Sequence, residues 1–335
     1  MADEQAFRNK IQAFLKTRYM QRDDLTVSTV ERLTGGYSYE TYFLTLEWRE
    51  GGETRSEVVV LSMEPECGVA PPYDVRPQYQ VLQRVGKLGI PCPAVTLLES
   101  AGTVLGRRFF IMEKVEGINL DRYFPDHPDE QDSLRTQYAQ IIARLHSLNW
   151  PELELTTLRF PEHDKAFATR EIERYQAVMK ANEFTPQPLM AEIFSWLKKN
   201  IPVSERTTLC HGDLKVGVAG NFFAHEGKIS AVLDWELVSI GDPLSDLGYV
   251  SLVLQNQSFW NKEDFLHTYE ALTGTVVNRD SLFFWEVFTY VKWIVMGYPG
   301  FKIGLSCSDL DMRQISANSA FLPWLKNAAA MKLGI

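Results

Sequence analysis

Apolar residues recur at helical spacing near the start of the chain, at Phe7, Ile11, Phe14 and Leu15, and predict a first helix over residues 4–16. The pattern then changes to strands. Residues 33–42 carry Gly35-Gly36, and Tyr42-Phe43-Leu44-Thr45-Leu46-Glu47-Trp48 continues as an extended run. Gly51-Gly52 reads as a hairpin turn, with the returning strand over 57–61. A helix is expected over 76–87. Pro91 and Pro93 break the chain before a strand over 94–98, and a further strand covers 108–112. Five short strands and little helix within the first 117 residues predict a small β-rich unit. After it, Leu134, Tyr138, Ile141, Ile142, Leu145 and Leu148 line one helical face. More helices are expected over 169–182, 188–200, 262–272, 280–296 and 311–332, with short β segments at 222–223 and 231–233. This is an α+β chain of two unequal lobes.

Composition narrows the class. The chain has 335 residues, 45% hydrophobic and 23% charged, an ordinary globular balance. A net charge of −9 opposes general nucleic-acid binding, which calls for a basic face. It also requires any phosphate site to have a local basic patch. Cys67, Cys92, Cys210 and Cys307 are scattered without a C-x-x-C pair, which suits a reduced compartment. The first residues lack the apolar core of a signal peptide, and no apolar run approaches membrane-spanning length. A cytoplasmic protein with no membrane partner is expected.

The chemistry concentrates in HGDLKVGVAGNFFAHEGKISAVLDWELVSIGDPLSDL, which opens at His211. A carboxylate before a short loop, then an amide, then a second carboxylate after β segments suits phosphoryl transfer. One Asp accepts the proton of an attacking hydroxyl, while an Asn and an Asp hold magnesium against nucleotide phosphates. The stretch resembles the aminoglycoside/choline-kinase-like phosphotransferase family, whose pattern is H-G-D-x-x-x-x-N, then D-W or D-F, then G-D-P-x-x-D-L. The resemblance extends to LTGGYSYETYFL, GIPCPAV, LGRRFFIMEKVEG and FWEVFTYVKW. It is nearest to the branch fused to acyl-CoA dehydrogenases.

The resemblance implies a bilobal protein-kinase-like fold, with a nucleotide-binding-type lobe over 1–117 and a helical lobe over 118–335 that holds the catalytic loop and the acceptor site. It makes Asp213 the general base and Asp234 the metal ligand, with Asn221 as a second. His211 and Asp246 become scaffold for the loop. Gly35, Gly36 and Ser38 belong to a glycine loop over the phosphates. Ser62 stands at the phosphate-contacting position of the third strand, and Glu113 to Val115 form the connector that meets an adenine edge. ATP and Mg2+ are the implied cofactors, and a small-molecule or acyl-CoA-type hydroxyl is the implied acceptor.

Each element also has a plainer reading. A single Asp can cap a turn, Gly-Gly is a common turn, and an aromatic run such as 283–293 is more often core than a ligand cage. Three departures matter more. The family's metal Asn falls where this chain has Val218, and Asn221 comes three residues later. Either Gly217 and Gly220 let the extra residues bulge and keep Asn221 in place, or the metal site is reshaped. The third-strand cation is replaced by Ser62, and the helix glutamate that would orient it by Gln78. Glu64 and Glu66 leave that strand end acidic. A second reading follows: a kinase-fold protein without ATP-dependent transfer, serving as a binding module or doing other acid–base chemistry through Asp213.

Overall fold

The computed structural model describes residues 2–33, 38–66, 73–160, 163, 165–183, 185–217, 220–256, 259–306 and 312–335. Helix α1 (Ala2–Arg18) packs Ile11 and Leu15 onto one face of an antiparallel sheet. That sheet is formed by β1 (Asp23–Arg32), β2 (Glu40–Glu50), β3 (Glu53–Met63), β4 (Val95–Glu99) and β5 (Phe109–Glu113), in the order β1-β2-β3-β5-β4. Helix α2 (Val75–Val85) covers the other face, capped by the Asp74 carboxylate on the Arg76 N–H. The period-two rule decides which residues look where. Leu44, Leu46, Val59, Leu61 and Met63 point to α1, so Val60 and Ser62 point to the opposite face.

The first strand lies earlier than the pattern predicts. Leu25 and Val27 are its two buried residues, and the polar positions around them hide the alternation. Of the predicted strand over 33–42, residues 40–42 are strand, the start of β2, and β1 has already ended at Arg32. Gly35 and Gly36, with Tyr37, fall outside the described residues. Gly51 and Gly52 both take positive φ, +60° and +87°, as a two-residue hairpin requires.

The chain leaves the sheet at Glu113 and joins the second lobe through β6 (Ile118–Asn119), which pairs with β8 (Phe222–His225) and through it with β9 (Lys228–Val232). Between these lie α3 (Leu120–Tyr123), α4 (Gln131–Ser147), α5 (Ala166–Asn182), α6 (Pro188–Lys199) and β7 (Thr208–Cys210). β10 (Ser239–Gly241) pairs with β7, and α7 (Leu244–Asn256), α8 (Lys262–Thr273), α9 (Arg279–Ser306) and α10 (Met312–Leu333) complete the lobe. The predicted helices are present. Two differences stand out. α7 was not foreseen, because its residues are apolar on nearly every side and give no amphipathic period. α9 runs on through Pro299.

Two clusters build the helical lobe. One gathers α2, α4, α8 and the β7–β10 region around Tyr138, Phe222 and Trp235. The other gathers α5, α6, α9 and α10 around Phe284, Trp285 and Phe288, so the aromatic run of 283–293 is mainly core. Glu286, 2% exposed, is held between Lys262 and Lys332 at 2.6 Å each, tying the start of α8 and the end of α10 to α9. α7 and α9 touch at Gly248: a Cβ there would lie 2.6 Å from the Trp285 carbonyl carbon. Backbone so close cannot yield by a rotamer change.

Gly248→Ala therefore tests that contact. Overpacking costs about 1–3 kcal/mol, and the better helix propensity of Ala returns about 1 kcal/mol. The urea midpoint is expected to fall by the equivalent of about 1 kcal/mol with an unchanged slope. A midpoint at or above that of the wild type would mean that α9 slides freely over α7.

Candidate active site

His211, Gly212 and Asp213 follow directly from β7, and their backbone is held from below by a buried carboxylate. Asp246, in the first turn of α7, accepts the His211 N–H at 2.8 Å and the Gly212 N–H at 2.7 Å. His146 Nε2 donates to it at 3.1 Å. Burial alone would raise this carboxyl; the bonds from His146 and from the His211 backbone hold it below the usual carboxylate range. Behind His146 stand Tyr269, at 2.9 Å from Nδ1, and Arg206, which donates to the Tyr269 oxygen at 3.1 Å. Cys210, His146 and Asp246 bring their donor atoms within 4.8 Å of one another. The His146 and Asp246 atoms there are spent on each other and on the loop, which makes the group a hydrogen-bonded lock.

His211 completes the scaffold. Its Nε2 donates to the Leu233 carbonyl at 3.0 Å, and its Nδ1 accepts the Asp213 N–H at 3.1 Å. Burial draws its ring below the ordinary histidine range, so it serves here as a neutral spacer. Gly212 has φ +84°, and a Cβ there would stand 2.6 Å from the Leu237 carbonyl. Only glycine fits that crossing.

Asp213 is 8% exposed, and both its oxygens are engaged. Tyr249 donates its hydroxyl to Oδ1. Asn221 Nδ2 donates to Oδ2 at 2.9 Å and to the Asp213 carbonyl at 2.8 Å. Lys215 Nζ lies 3.8 Å from Oδ2. The insertion before Asn221 is bridged: the Asn221 N–H reaches the Lys215 carbonyl at 2.8 Å, the Gly220 N–H reaches the Gly217 carbonyl at 2.8 Å, and Asn119 donates to the Gly220 carbonyl. Val218 lies outside the described residues. Asn221 thus stands beside Asp213, with its amide nitrogen committed to it.

Asp234 follows β9 in a left-handed conformation, φ +64°. Such a conformation is uncommon for a residue with a side chain and is concentrated at functional sites. Its side chain is exposed, unlike that of Asp213. Poor solvation among its protein neighbours, then the Glu236 and Asp213 carboxylates, push its carboxyl well up, against Lys215 and Lys292. The exposed edge shows that water still reaches it, so the carboxylate crowding is the part of this shift that a bound cation would relieve. Glu236 is pushed up to about 7 by burial and by Asp213, and the bond from Ser38 opposes the rise. Ser38 Oγ donates to Glu236 Oε1 at 2.8 Å. The segment between β1 and β2 therefore reaches the far lobe.

Ser62 and Gln78 are both buried, at 4% and 8% exposure. Among the described residues no ion pair or hydrogen bond joins either to a cationic side chain, and Gln78 Oε1 has no partner. The acidic strand end expected from Glu64 is corrected by Arg108, which pairs with it at 2.8 Å. That partner is contributed by β5's approach, out of reach of sequence spacing. Glu113 turns its carboxylate to the Ala94 N–H at 2.9 Å, and Val115 is half-buried in the connector. Lys114 lies with its ammonium 4.9 Å from the centre of the Phe43 ring, which shares the Val60 register on the cleft face. Two surface cavities, of about 650 and 40 Å³, are lined by neither Asp213, Asn221, Asp234 nor Glu236.

Two residues that motif reasoning did not single out adjoin Asp213. One is Tyr249. The other is Lys292 of α9, whose Nζ donates to the Gly212 carbonyl. A single cation within the apolar run 287–296 was the available signal.

The phosphotransferase enzyme family model matches residues 29–284. Acyl-CoA dehydrogenase family member 11 of Homo sapiens is 30% identical over 230 residues, covering 67% of this chain and 28% of that protein. Acyl-CoA dehydrogenase family member 10 of Mus musculus is 28% identical over 222 residues, covering 65% of this chain and 20% of that protein. The chain thus spans less than a third of the length of these relatives. Among solved structures, a candidate aminoglycoside phosphotransferase from Ralstonia eutropha superposes with a TM-score of 0.72 at 22% identity, covering 97% of this chain and 98% of that one. Aminoglycoside phosphotransferase APH(4)-Ia, solved with ADP and hygromycin B, superposes with a TM-score of 0.61 at 15% identity over 96% of this chain and 97% of that one. At such identities these structures establish the kinase-like fold: a sheet lobe and a helical lobe. No helix among the described residues is long and apolar enough to cross a membrane. The family match, which takes in the glycine segment, the third strand and the loop from His211 to Asp246, supports phosphoryl transfer to small molecules, and the chain belongs to the phosphotransferase enzyme family.

Proposed function

We propose that the protein transfers the γ-phosphoryl group of ATP to a hydroxyl of a small molecule, with Mg2+ as the metal. The observation that supports this is the bond from Asn221 to Asp213, with Asp234 near enough for the Asp213 carboxylate to repel its charge. Asp213 accepts the proton of the acceptor hydroxyl as the oxygen attacks phosphorus. Asp234 and Asn221 offer the hard oxygen donors that magnesium takes. When bound, the metal would neutralise the phosphate charge. Lys215 adds a cation on the same side. Ser38, with Gly35 and Gly36, covers the phosphates. Val60, Ser62 and the connector from Glu113 to Val115 border the nucleotide. In this reading residues 1–117 form the nucleotide lobe and 118–335 the acceptor lobe. The names of the relatives favour an acyl-CoA-type acceptor, and the scattered cysteines favour a place in the cytoplasm.

The second reading, a kinase fold without ATP-dependent transfer, is favoured by one observation. Ser62 and Gln78 replace a charged pair with two buried neutral side chains. The two readings separate in a titration of Mg-ATP, ATP with EDTA, and AMP-PNP into the protein, followed by a turnover assay. Metal-dependent binding with release of ADP supports the phosphotransferase; no binding under any condition supports the other.

Asp213→Asn is expected to lower Mg-ATP turnover by about 10²- to 10⁴-fold while leaving the Mg-ATP dissociation constant within about twofold. Unchanged turnover would remove Asp213 from the role of base.

Stability and pH are linked through Glu236. Its folded pKa, about 7, lies above that of an unfolded glutamate. Its contribution is therefore fully present below the unfolded value and is lost as pH rises through about 7. The melting temperature of the ligand-free protein is expected to fall between roughly pH 5 and 8. Glu236→Gln should flatten that fall, and Mg2+ should restore stability mainly at the alkaline end. Identical slopes in wild type and variant would rule out Glu236 as the source.

Ser62→Lys with Gln78→Glu restores a charged pair between β3 and α2. A preorganised contact of that kind is worth on the order of 3 kcal/mol. Each single change buries an unpaired charge, so the pair should tighten Mg-ATP binding more than the two changes taken singly, in a double-mutant cycle. A wild type that already binds at low micromolar concentration, with no gain in the double variant, would mean that another cation holds the phosphates.

A further inference from the structure

Asp213 is fixed from a direction that the catalytic motif does not encode. Tyr249 is the third residue after Asp246 on α7, 5% exposed, and its hydroxyl donates to Asp213 Oδ1. Burial and the Asp213 carboxylate push that hydroxyl far above the ordinary phenol range, so it remains a donor. On the opposite side Asn221 donates to Oδ2 at 2.9 Å. A carboxylate held at both oxygens has its plane fixed, and each oxygen still has a lone pair for the acceptor proton.

Tyr249 is in turn held by α9. Lys292 places its ammonium 5.3 Å from the centre of the Tyr249 ring. Trp293 meets the same ring edge-on at 5.4 Å. Lys292 also donates to the Gly212 carbonyl, the residue before the base, and so bridges the catalytic loop and the tyrosine. Its half-buried ammonium is drawn down by burial, and Asp213, Glu171 and Asp246 oppose that. The Gly248 crossing against Trp285 sets the register that brings Lys292, two turns further along α9, over Tyr249.

We propose that Tyr249 and Lys292 are a pair of positioning residues for the general base: Tyr249 fixes the rotamer of Asp213, and Lys292 fixes Tyr249 and the Gly212 peptide. This rests on the reading of Asp213 as the base and adds two residues to it. Neither is placed on substrate or metal. Misplacing a reacting group by about 1 Å costs about 10²-fold in rate, and that sets the size of the effect.

The test uses the full chain with Mg-ATP as the probe, and compares Tyr249→Phe, Lys292→Met, Lys292→Arg and the double variant Tyr249→Phe/Lys292→Met. Tyr249→Phe should lower kcat by about 10- to 10²-fold, with KM for ATP and the melting temperature close to wild type. Lys292→Met should lower kcat in the same way, Lys292→Arg should recover most of it, and the double variant should be no worse than Tyr249→Phe. A purely structural role would instead lower the melting temperature and spare the ratio of kcat between folded variants. Wild-type kcat in Tyr249→Phe, or losses that multiply in the double variant, would overturn the proposal. A second arm does not need activity: in crystals of Tyr249→Phe the Asp213 side chain should leave the rotamer it holds in the wild type. If Asp213 stays in place there, the proposal fails whatever the kinetics. If the wild type turns over no Mg-ATP while Asp213 does move, the phosphotransferase reading fails and the positioning role stands.

Discussion

The buried carboxylate of Asp246 is the constraint on which the rest of the site depends. It takes two consecutive backbone N–H groups, those of His211 and Gly212, and a third donor from His146. Those amides sit at the end of a three-residue strand, where the ladder can no longer satisfy them. Without Asp246 they would be buried donors with no acceptor, and the turn at Gly212 would have no reason to hold its positive φ. With it, the chain emerges at Asp213 in one direction. The charge is tolerated inside because three donors face it.

Above that lock the site is an excess of carboxylate facing a few cations. Asp213, Asp234 and Glu236 crowd one another, and Lys215 and Lys292 offset only part of the repulsion. For Asp234 and Glu236, poor solvation and the neighbouring carboxylates favour the protonated forms, an unfavourable crowding that a divalent cation would relieve. The pieces come from different elements: Asp213 and Asn221 from the loop after β7, Asp234 and Glu236 from the turn after β9, Ser38 from the segment between β1 and β2, and Lys292 from α9. The two lobes share this cluster through the bond from Ser38 to Glu236.

The third strand tells a different story. Val60 and Ser62 point to the face opposite α1, and both are buried. Gln78 has the length of a glutamate, and its side-chain oxygen has no partner among the described residues. Among the described residues nearby, Arg107 is committed to Glu40 at 2.5 Å and Arg108 to Glu64 at 2.8 Å. The loop after β7 and the third strand thus depart from the family pattern to different degrees.

Local signals made the loop, the two lobes and most helices legible. Helical periodicity, hairpin glycines and a run of residues with fixed spacing all live within a few positions of each other, and the motif around His211, Asp213, Asp234 and Asp246 is of that kind. Signals failed where the pattern was diluted. β1 has only two buried residues, and α7 is apolar all round, so neither shows a clean period. The place of Asn221 could not be read from spacing, because three extra residues can bulge or shift the chain; the bridge from Lys215 to Asn221 and the bond from Asn119 decide it. Glu64 read as a free acid until β5 brought Arg108 beside it. Tyr249 and Lys292 carry no motif, since their roles arise from a close crossing of two helices at Gly248. The sequence by itself determined which groups could do the chemistry; which of them share a hydrogen bond was decided by packing between elements far apart in the chain, because distance in space follows from helix contact and strand order and not from residue number.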